Sequence, residues 1–317
     1  MRRILQENWD EITALDKGGS KVKDIADYFD LPAVFLKQKL KDYYRSKQPE
    51  KKEKPHKSNL NVLILDIETS PLLSYHWGVW QQNIGQPMRI DGDRSYMMSI
   101  AMKWLGDDKI HYFESRTEDD SELVKSTIDF LDKADIVIAH NGKKFDLKKI
   151  NAYAIINGLK PPSPYRQIDT LIEAKKNFSF ERNTLAYIAD VLECSPKLDH
   201  AQFSGFELWK ECIAGNEDAW DEMKKYNIQD IRTLEEVYLK MRPYIKGHPN
   251  VVTTAGSIKP RCVSCGSHNL ESTGYSVTNV SKFKRYKCAD CGSFSRGRKN
   301  LLEKRERENL LTSVSNG

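Results

Sequence analysis

The sequence predicts an α/β protein: a mixed β-sheet with flanking helices, a small helical domain before it and a metal-stapled β-ribbon after it. Three observations lead there. An apolar run at 62–65 ends in two acids, Asp66 and Glu68. Behind it, strand-like and helix-like segments alternate as far as residue 241, the pattern of an α/β domain. Near the C-terminus, Cys262, Cys265, Cys288 and Cys291 form two C-x-x-C pairs separated by 22 residues.

A chain of 317 residues suits one domain of ordinary size with appendages. No apolar run approaches a membrane span and the N-terminus has no signal-peptide core. The expectation is an intracellular protein of the cytoplasm or nucleoid with no membrane partner. Charge is unevenly spread. Residues 1–60 hold 14 Lys/Arg against 10 Asp/Glu, 256–317 hold 12 against 5, and 61–255 hold 24 against 30. Basic ends attract phosphate backbones by counterion release, and an acidic centre is tolerable beside them if cations occupy it. Basic tails also serve solubility alone.

In chain order, residues 1–45 read as helices. Ile25, Ala26, Phe29, Leu31, Phe35, Leu36 and Leu40 follow an interrupted 3.6-residue period, broken at Asp30-Leu31-Pro32, where Pro32 can open the next helix. The pattern resembles a helix-turn-helix, with Lys37, Lys39, Lys41 and Arg45 near DNA on the second helix. A helical protein-docking bundle is the alternative. Residues 46–59, rich in Lys, Glu and Pro, form a charged linker. The central domain spans 60–246. Its strands are expected at 62–65, 96–104, 109–113, 135–139 and 165–169, the second and third joined by a hairpin-like turn. Its helices are expected at 123–131, 145–158, 171–176, 185–192, 206–214 and 217–241.

Asp66 and Glu68 lie two apart on a strand and so share one face. Like charges that close repel, and a divalent cation resolves the conflict. Asp146 follows the fourth strand at the start of a helix, where it serves either as a helix cap or as a further ligand. Asp230 falls roughly 20° from Met223 around the long helix, inside its apolar face, with Tyr226 one turn earlier. A buried carboxylate there needs compensation, from Arg or Lys or from a metal ion.

Asp66-x-Glu68, Asn141 with Phe145-Asp146, and Tyr226-x-x-x-Asp230 together resemble the three motifs of the DEDD 3′–5′ exonuclease superfamily, of ribonuclease H-like fold. The Tyr before the last Asp resembles the tyrosine subclass, DEDDy, as in family B polymerase proofreading domains. The resemblance covers about residues 60–245. It implies a ribonuclease H-like sheet and two Mg²⁺ or Mn²⁺ ions held by Asp66, Glu68, Asp146 and Asp230. It also implies that Asp66 bridges both ions and that Tyr226 orients the attacking water. A tyrosine with an ordinary pKa near 10 is a poor general base at neutral pH. The expected substrate is a nucleic acid, DNA rather than RNA. Asn141, Lys143 and Lys144 are placed to reach phosphates, as is His140. Trp77 and Trp80, with Tyr75, can stack a terminal base or pack a lid. Lys197 and His200 are weaker contacts. Phe145 is assigned to the core, and Asp169 is structural, before a capping box formed by Thr170 and Glu173.

Cys262, Cys265, Cys288 and Cys291, each pair followed by a glycine, fit one Zn²⁺ in a closed tetrahedral site, with an iron–sulfur site as the alternative. The segment 256–300 resembles a zinc ribbon, with strands at 275–280 and 283–287 and a charged tail over 301–317. Its basic and aromatic residues suit a nucleic-acid grip or a docking knot. The leading expectation is a two-metal 3′–5′ exonuclease of DNA. The alternatives are a ribonuclease or structure-specific endonuclease with the same site, and an inactive nucleic-acid-binding adaptor.

Overall fold

The computed structural model describes residues 8–47, 60–78, 80–195, 202–253 and 259–314. The chain divides into two compact units, Met1–Lys54 and Pro55–Gly317. Among the described residues no helix is long and apolar enough to cross a membrane. The expected linker lies outside the described residues from 48 onward.

In the first unit, α1 (Trp9–Lys17), α2 (Val22–Tyr28) and α3 (Ala33–Lys47) enclose Ile12, Ile25, Ala26, Leu31, Leu36 and Leu40. Phe29 and Phe35 pack half-buried against that core. The break after α2 is a left-handed turn at Asp30, φ 50°. The Leu31 amide closes it on the Ala26 carbonyl at 2.8 Å, and Pro32 sits just before α3 rather than inside it. Lys37, Lys39 and Lys41 are exposed. The Arg45 side chain lies outside the described set.

The second unit is built on five strands: β1 (Val62–Thr69), β2 (Met97–Trp104), β3 (Ile110–Glu114), β4 (Ile136–Ala139) and β5 (Arg166–Asp169). Their order is β3-β2-β1-β4-β5. β2 runs antiparallel to β1 and β3, whereas β4 and β5 run parallel to β1. The apolar start of β1 is buried on both faces, as a central strand requires. Among the described residues six helices connect or cover the sheet: α4 (Ser121–Leu131), α5 (Asp146–Ile156), α6 (Thr170–Asn177), α7 (Leu185–Val191), α8 (Glu207–Ile213) and α9 (Glu217–Met241). Leu63, Leu65 and Ile67 of β1 pack with residues of α4 and α5. Val62 and Ile64 pack with Ile188 of α7 and with Ile231, Leu234 and Val237 of α9. Side chains alternate along a strand, so Asp66 and Glu68 point to the α9 side. A register shift between Glu68 and Thr69 ends the regular ladder just past the second acid.

The C-terminal ribbon has three strands, β6 (Leu270–Thr278), β7 (Ser281–Cys288) and β8 (Phe294–Asn300), with β7 central. A short α10 (Lys304–Glu308) follows. The sequence gives no sign of β8, because most of its residues face water and leave no alternating apolar pattern to read. The ribbon is tied to the sheet domain. The Val251 amide donates to the Val263 carbonyl at 2.9 Å, and Val251 itself is buried in the core that includes Tyr238 and Met241.

Candidate active site and metal centre

Four acids meet above the carboxyl end of the sheet. Asp66 is held twice by the Asn227 amide nitrogen, which donates to its Oδ2 at 2.9 Å and to its backbone carbonyl at 3.2 Å. Asn227 is completely buried, and its Oδ1 accepts the Ser99 hydroxyl at 3.3 Å. Glu68 Oε2 accepts the Trp209 indole N–H at 3.1 Å.

Asp146 arrives through the loop after β4. Gly142 is required there because a Cβ would lie 2.4 Å from the Ala139 Cβ. Asn141 beside it is left-handed, φ 69°. The loop is drawn together by Asp169, whose Oδ1 and Oδ2 accept the Asn141 and Lys143 amides, both at 3.0 Å. Asp169 Oδ1 also caps α6 by accepting the Leu171 and Ile172 amides at 3.1 and 3.3 Å. The cap is therefore Asp169 itself, not the Thr170–Glu173 box expected from sequence. Thr170 is the first helical residue, and its hydroxyl lies 2.9 Å from His140 Nδ1.

The capping alternative for Asp146 also fails. It occupies the first helical position of α5, after Phe145 at the N-cap, and no side chain caps that helix. Instead, Asp146 Oδ1 accepts the Ile67 amide of β1 at 3.2 Å. Burial lifts the Asp146 carboxyl to about 6, with the Asp169 charge adding to the rise and the two backbone N–H groups opposing it.

The long α9 supplies the rest. Asn216 caps it by accepting the Asp218 amide at 3.1 Å. Trp220 and Met223 pack against α8, and Ile231 onward packs against the sheet. Asp230 is buried between these two stretches. Burial, then the charges of Asp230, Glu68 and Asp66, push the Tyr226 hydroxyl far above its ordinary value. It is a neutral donor at physiological pH, bonded to Asp230.

A cavity of about 680 Å³ gathers Asp66, Glu68, Asn141, Asp146, Tyr226 and Asp230. The other expected contacts fare differently. Lys143 and Lys144 are exposed outside its lining, as are Trp77 and Trp80. His140 lines it but is engaged at both ring nitrogens, Nε2 lying 3.0 Å from the Asn183 carbonyl. Phe145 is not core: it is 39% exposed and lines the cavity. Lys197 and His200 lie outside the described residues. Sequence reasoning missed Lys175 and Arg182, which line the same cavity. Neither forms an ion pair among the described residues. A Lys at a helix end and an Arg in a turn carry no signal of their own, so only the fold reveals them. The oxygen-only acid set fits hard divalent cations.

The cysteines converge at the ribbon base. Cys262 Sγ lies 3.6 Å from Cys291 Sγ, Cys265 Sγ lies 3.6 Å from Cys288 Sγ, and all four sulfurs fall within 4.8 Å of one another. These separations are too long for disulfides and close to the edge of about 3.8 Å of a sulfur tetrahedron around an ion at 2.3 Å. The two pairs repeat one turn. The Gly266 and Gly292 amides donate to the Cys262 and Cys288 carbonyls at 2.9 and 3.0 Å, with φ of 78° and 75°. The cluster fits a four-coordinate metal ion.

Sheet order and an acid-lined cavity at its carboxyl edge define a ribonuclease H-like domain of nuclease type. Residues 88–242 match the family described as the RNase_H superfamily. The match takes in Asp146, Tyr226 and Asp230; Asp66 and Glu68 precede it. Among similar solved structures is the family B DNA polymerase of the hyperthermophilic archaeon Pyrobaculum calidifontis, at 16% identity and TM-score 0.43. That similarity covers 58% of this chain and 25% of the polymerase, so it spans about a quarter of the polymerase's length. No curated protein matches.

Proposed function

We propose that the chain is a 3′–5′ exonuclease of the tyrosine subclass that hydrolyses DNA with two Mg²⁺ or Mn²⁺ ions. The observation that carries this reading is the gathering of Asp66, Glu68, Asp146, Asp230 and Tyr226 around one cavity.

Asp66, held by Asn227, lies between the other acids in role and would serve both ions. Glu68 and Asp230 would hold one of them, and Asp146, fixed to the β1 backbone, would complete the other. When bound, the ions activate the attacking water and stabilise the leaving oxygen. Tyr226 stays protonated and orients that water by hydrogen bonding; it does not remove its proton. Lys175 and Arg182, cations without ion-pair partners among the described residues beside an acid cluster, would take the phosphates of the strand. Asn141 would join them from its left-handed turn.

Zn²⁺ suits the four cysteines, and the ribbon they close would grip nucleic acid. Lys282 stacks over Tyr275 at 4.1 Å and Arg296 over Phe283 at 4.5 Å, placing cations and rings together as single-strand binders do. The first unit, with exposed Lys37, Lys39 and Lys41, would add a helix-turn-helix contact to duplex DNA. The protein would work inside the cell, in the cytoplasm or nucleoid, where such a substrate lies.

Matched DNA and RNA oligonucleotides labelled at the 5′ end test the reading. The expected result with Mg²⁺ or Mn²⁺ is a ladder shortening from the 3′ end, faster on DNA and absent with Asp66→Asn. A single internal cut would replace the exonuclease with an endonuclease, and faster loss of RNA would reverse the substrate preference.

A further inference from the structure

Trp209 serves no purpose in the reaction as described so far, yet it touches two of its groups. It lies on α8, whose Leu208 and Cys212 are buried against Tyr96, Met98, Trp220 and Met223. That packing presents the half-buried indole toward β1. Its N–H donates to Glu68 Oε2 at 3.1 Å. Its ring meets that of Tyr226 edge-on, with centroids 6.1 Å apart and planes at 79°.

An indole nitrogen is a donor only, so against a carboxylate it favours the charged, ligating form. It also fixes the rotamer of a side chain that the neighbouring acids repel. Outer groups of this kind prepare metal ligands and commonly govern metal affinity. A tryptophan merely filling space in this corner would need its ring, not its N–H.

We propose that Trp209 is the positioning residue for cation binding at Glu68: its N–H sets the carboxylate and its ring sets the Tyr226 phenol, so one side chain aligns both. The inference rests on cation binding at the acid cavity, as proposed above, and not on the strand polarity or sugar of the substrate. Because the indole bonds Glu68 directly, ion binding at Glu68 would change the surroundings of the indole.

The test is equilibrium Mn²⁺ binding to the full chain by calorimetry, for the parent protein and for Trp209→Phe, which keeps a ring beside Tyr226 and removes the N–H. The expected change is a dissociation constant about ten- to a hundred-fold higher, with kcat largely recovered at saturating Mn²⁺. Thermal unfolding without metal checks that the variant folds, and Trp209→Tyr replaces it if it does not. A second readout avoids reliance on affinity. In protein labelled with 5-fluorotryptophan, the ¹⁹F resonance lost on substitution at 209 is expected to shift with added Mg²⁺.

Equal Mn²⁺ affinity in parent and variant, or a Trp209 resonance indifferent to Mg²⁺ that the parent binds, overturns the proposal while leaving the nuclease reading intact. A parent protein that binds neither cation overturns both.

Discussion

Asn227→Ala removes the buried amide that holds Asp66. The donation to the carboxylate at 2.9 Å is a bond to a charged group, worth about 1.5–3 kcal/mol, and the donation to the carbonyl at 3.2 Å is worth about 0.5–1.5 kcal/mol. Ser99 can turn its hydroxyl toward another acceptor, so its bond to Asn227 adds little. The expected loss of unfolding free energy is about 3 kcal/mol without divalent metal, and at about 2–4 °C per kcal/mol the melting temperature should fall by about 6–12 °C. Urea denaturation in EDTA, with Asp66→Asn as the second arm of a double-mutant cycle, isolates the charge-assisted part. In the Asp66→Asn background the acceptor is neutral, and Asn227→Ala should cost about 1 kcal/mol less. With this anchor of Asp66 lost, turnover should drop about a hundred-fold. If Asn227→Ala unfolds within 0.5 kcal/mol of the parent, or costs the same in both backgrounds, the amide does not hold the carboxylate and this reasoning is wrong.

Gly142→Ala forces apart atoms that would lie 2.4 Å from one another; it should cost about 1–3 kcal/mol, measured by urea denaturation, and lower kcat more than substitutions elsewhere in the loop because Asp146 moves with it. Lys175→Met with Arg182→Met should raise KM, leave kcat within a few-fold, and flatten the dependence of oligonucleotide binding on salt by about 0.7 per lost phosphate contact, measured by fluorescence anisotropy in Ca²⁺. Cys288→Ser should reduce bound zinc from about one ion per chain to near none, read by elemental analysis; a variant that keeps its zinc refutes the tetrahedral cluster.

The parts of the fold that were legible have local causes. The long helix is legible at its observed limits because Asn216 caps it and its apolar face is continuous. β1 was visible as an apolar run closed by acids. Asp66, Glu68, Asp146, Asp230 and Tyr226, which line one cavity, are legible as candidates because each sits at a strand end, a helix start or an apolar helix face, which sequence periodicity exposes. What was missed depends on distant chain segments meeting. Asp169 gathers amides from two segments, one 26 to 28 residues away, and nothing beside it in sequence says so. Trp209 reaches Glu68 across 141 positions. Phe145 reads as core by its type, but the left-handed Asn141 and the tight Gly142 turn it outward. β8 was invisible because a ribbon held by its cysteines needs no buried face.

One helix serves both metal-type sites. Tyr226, Asn227 and Asp230 occupy the middle of α9, and Tyr238 lies two turns on, completely buried, with its hydroxyl 2.8 Å from His248 Nε2. Beyond it, Gly292 of the second cysteine turn packs close to Pro243. From Asp230 to Tyr238 the axis advances about 12 Å. A rigid rod of that length, tilted by about 5° at the cysteine end, swings Asp230 by about 1 Å, twice the tolerance of about 0.5 Å within which a reactive constellation works. A tilt at the cysteine end would thus reach the acids as a shifting footing reaches through a lever, and a chain trimmed before residue 259 should lose turnover in the oligonucleotide assay while keeping every acid.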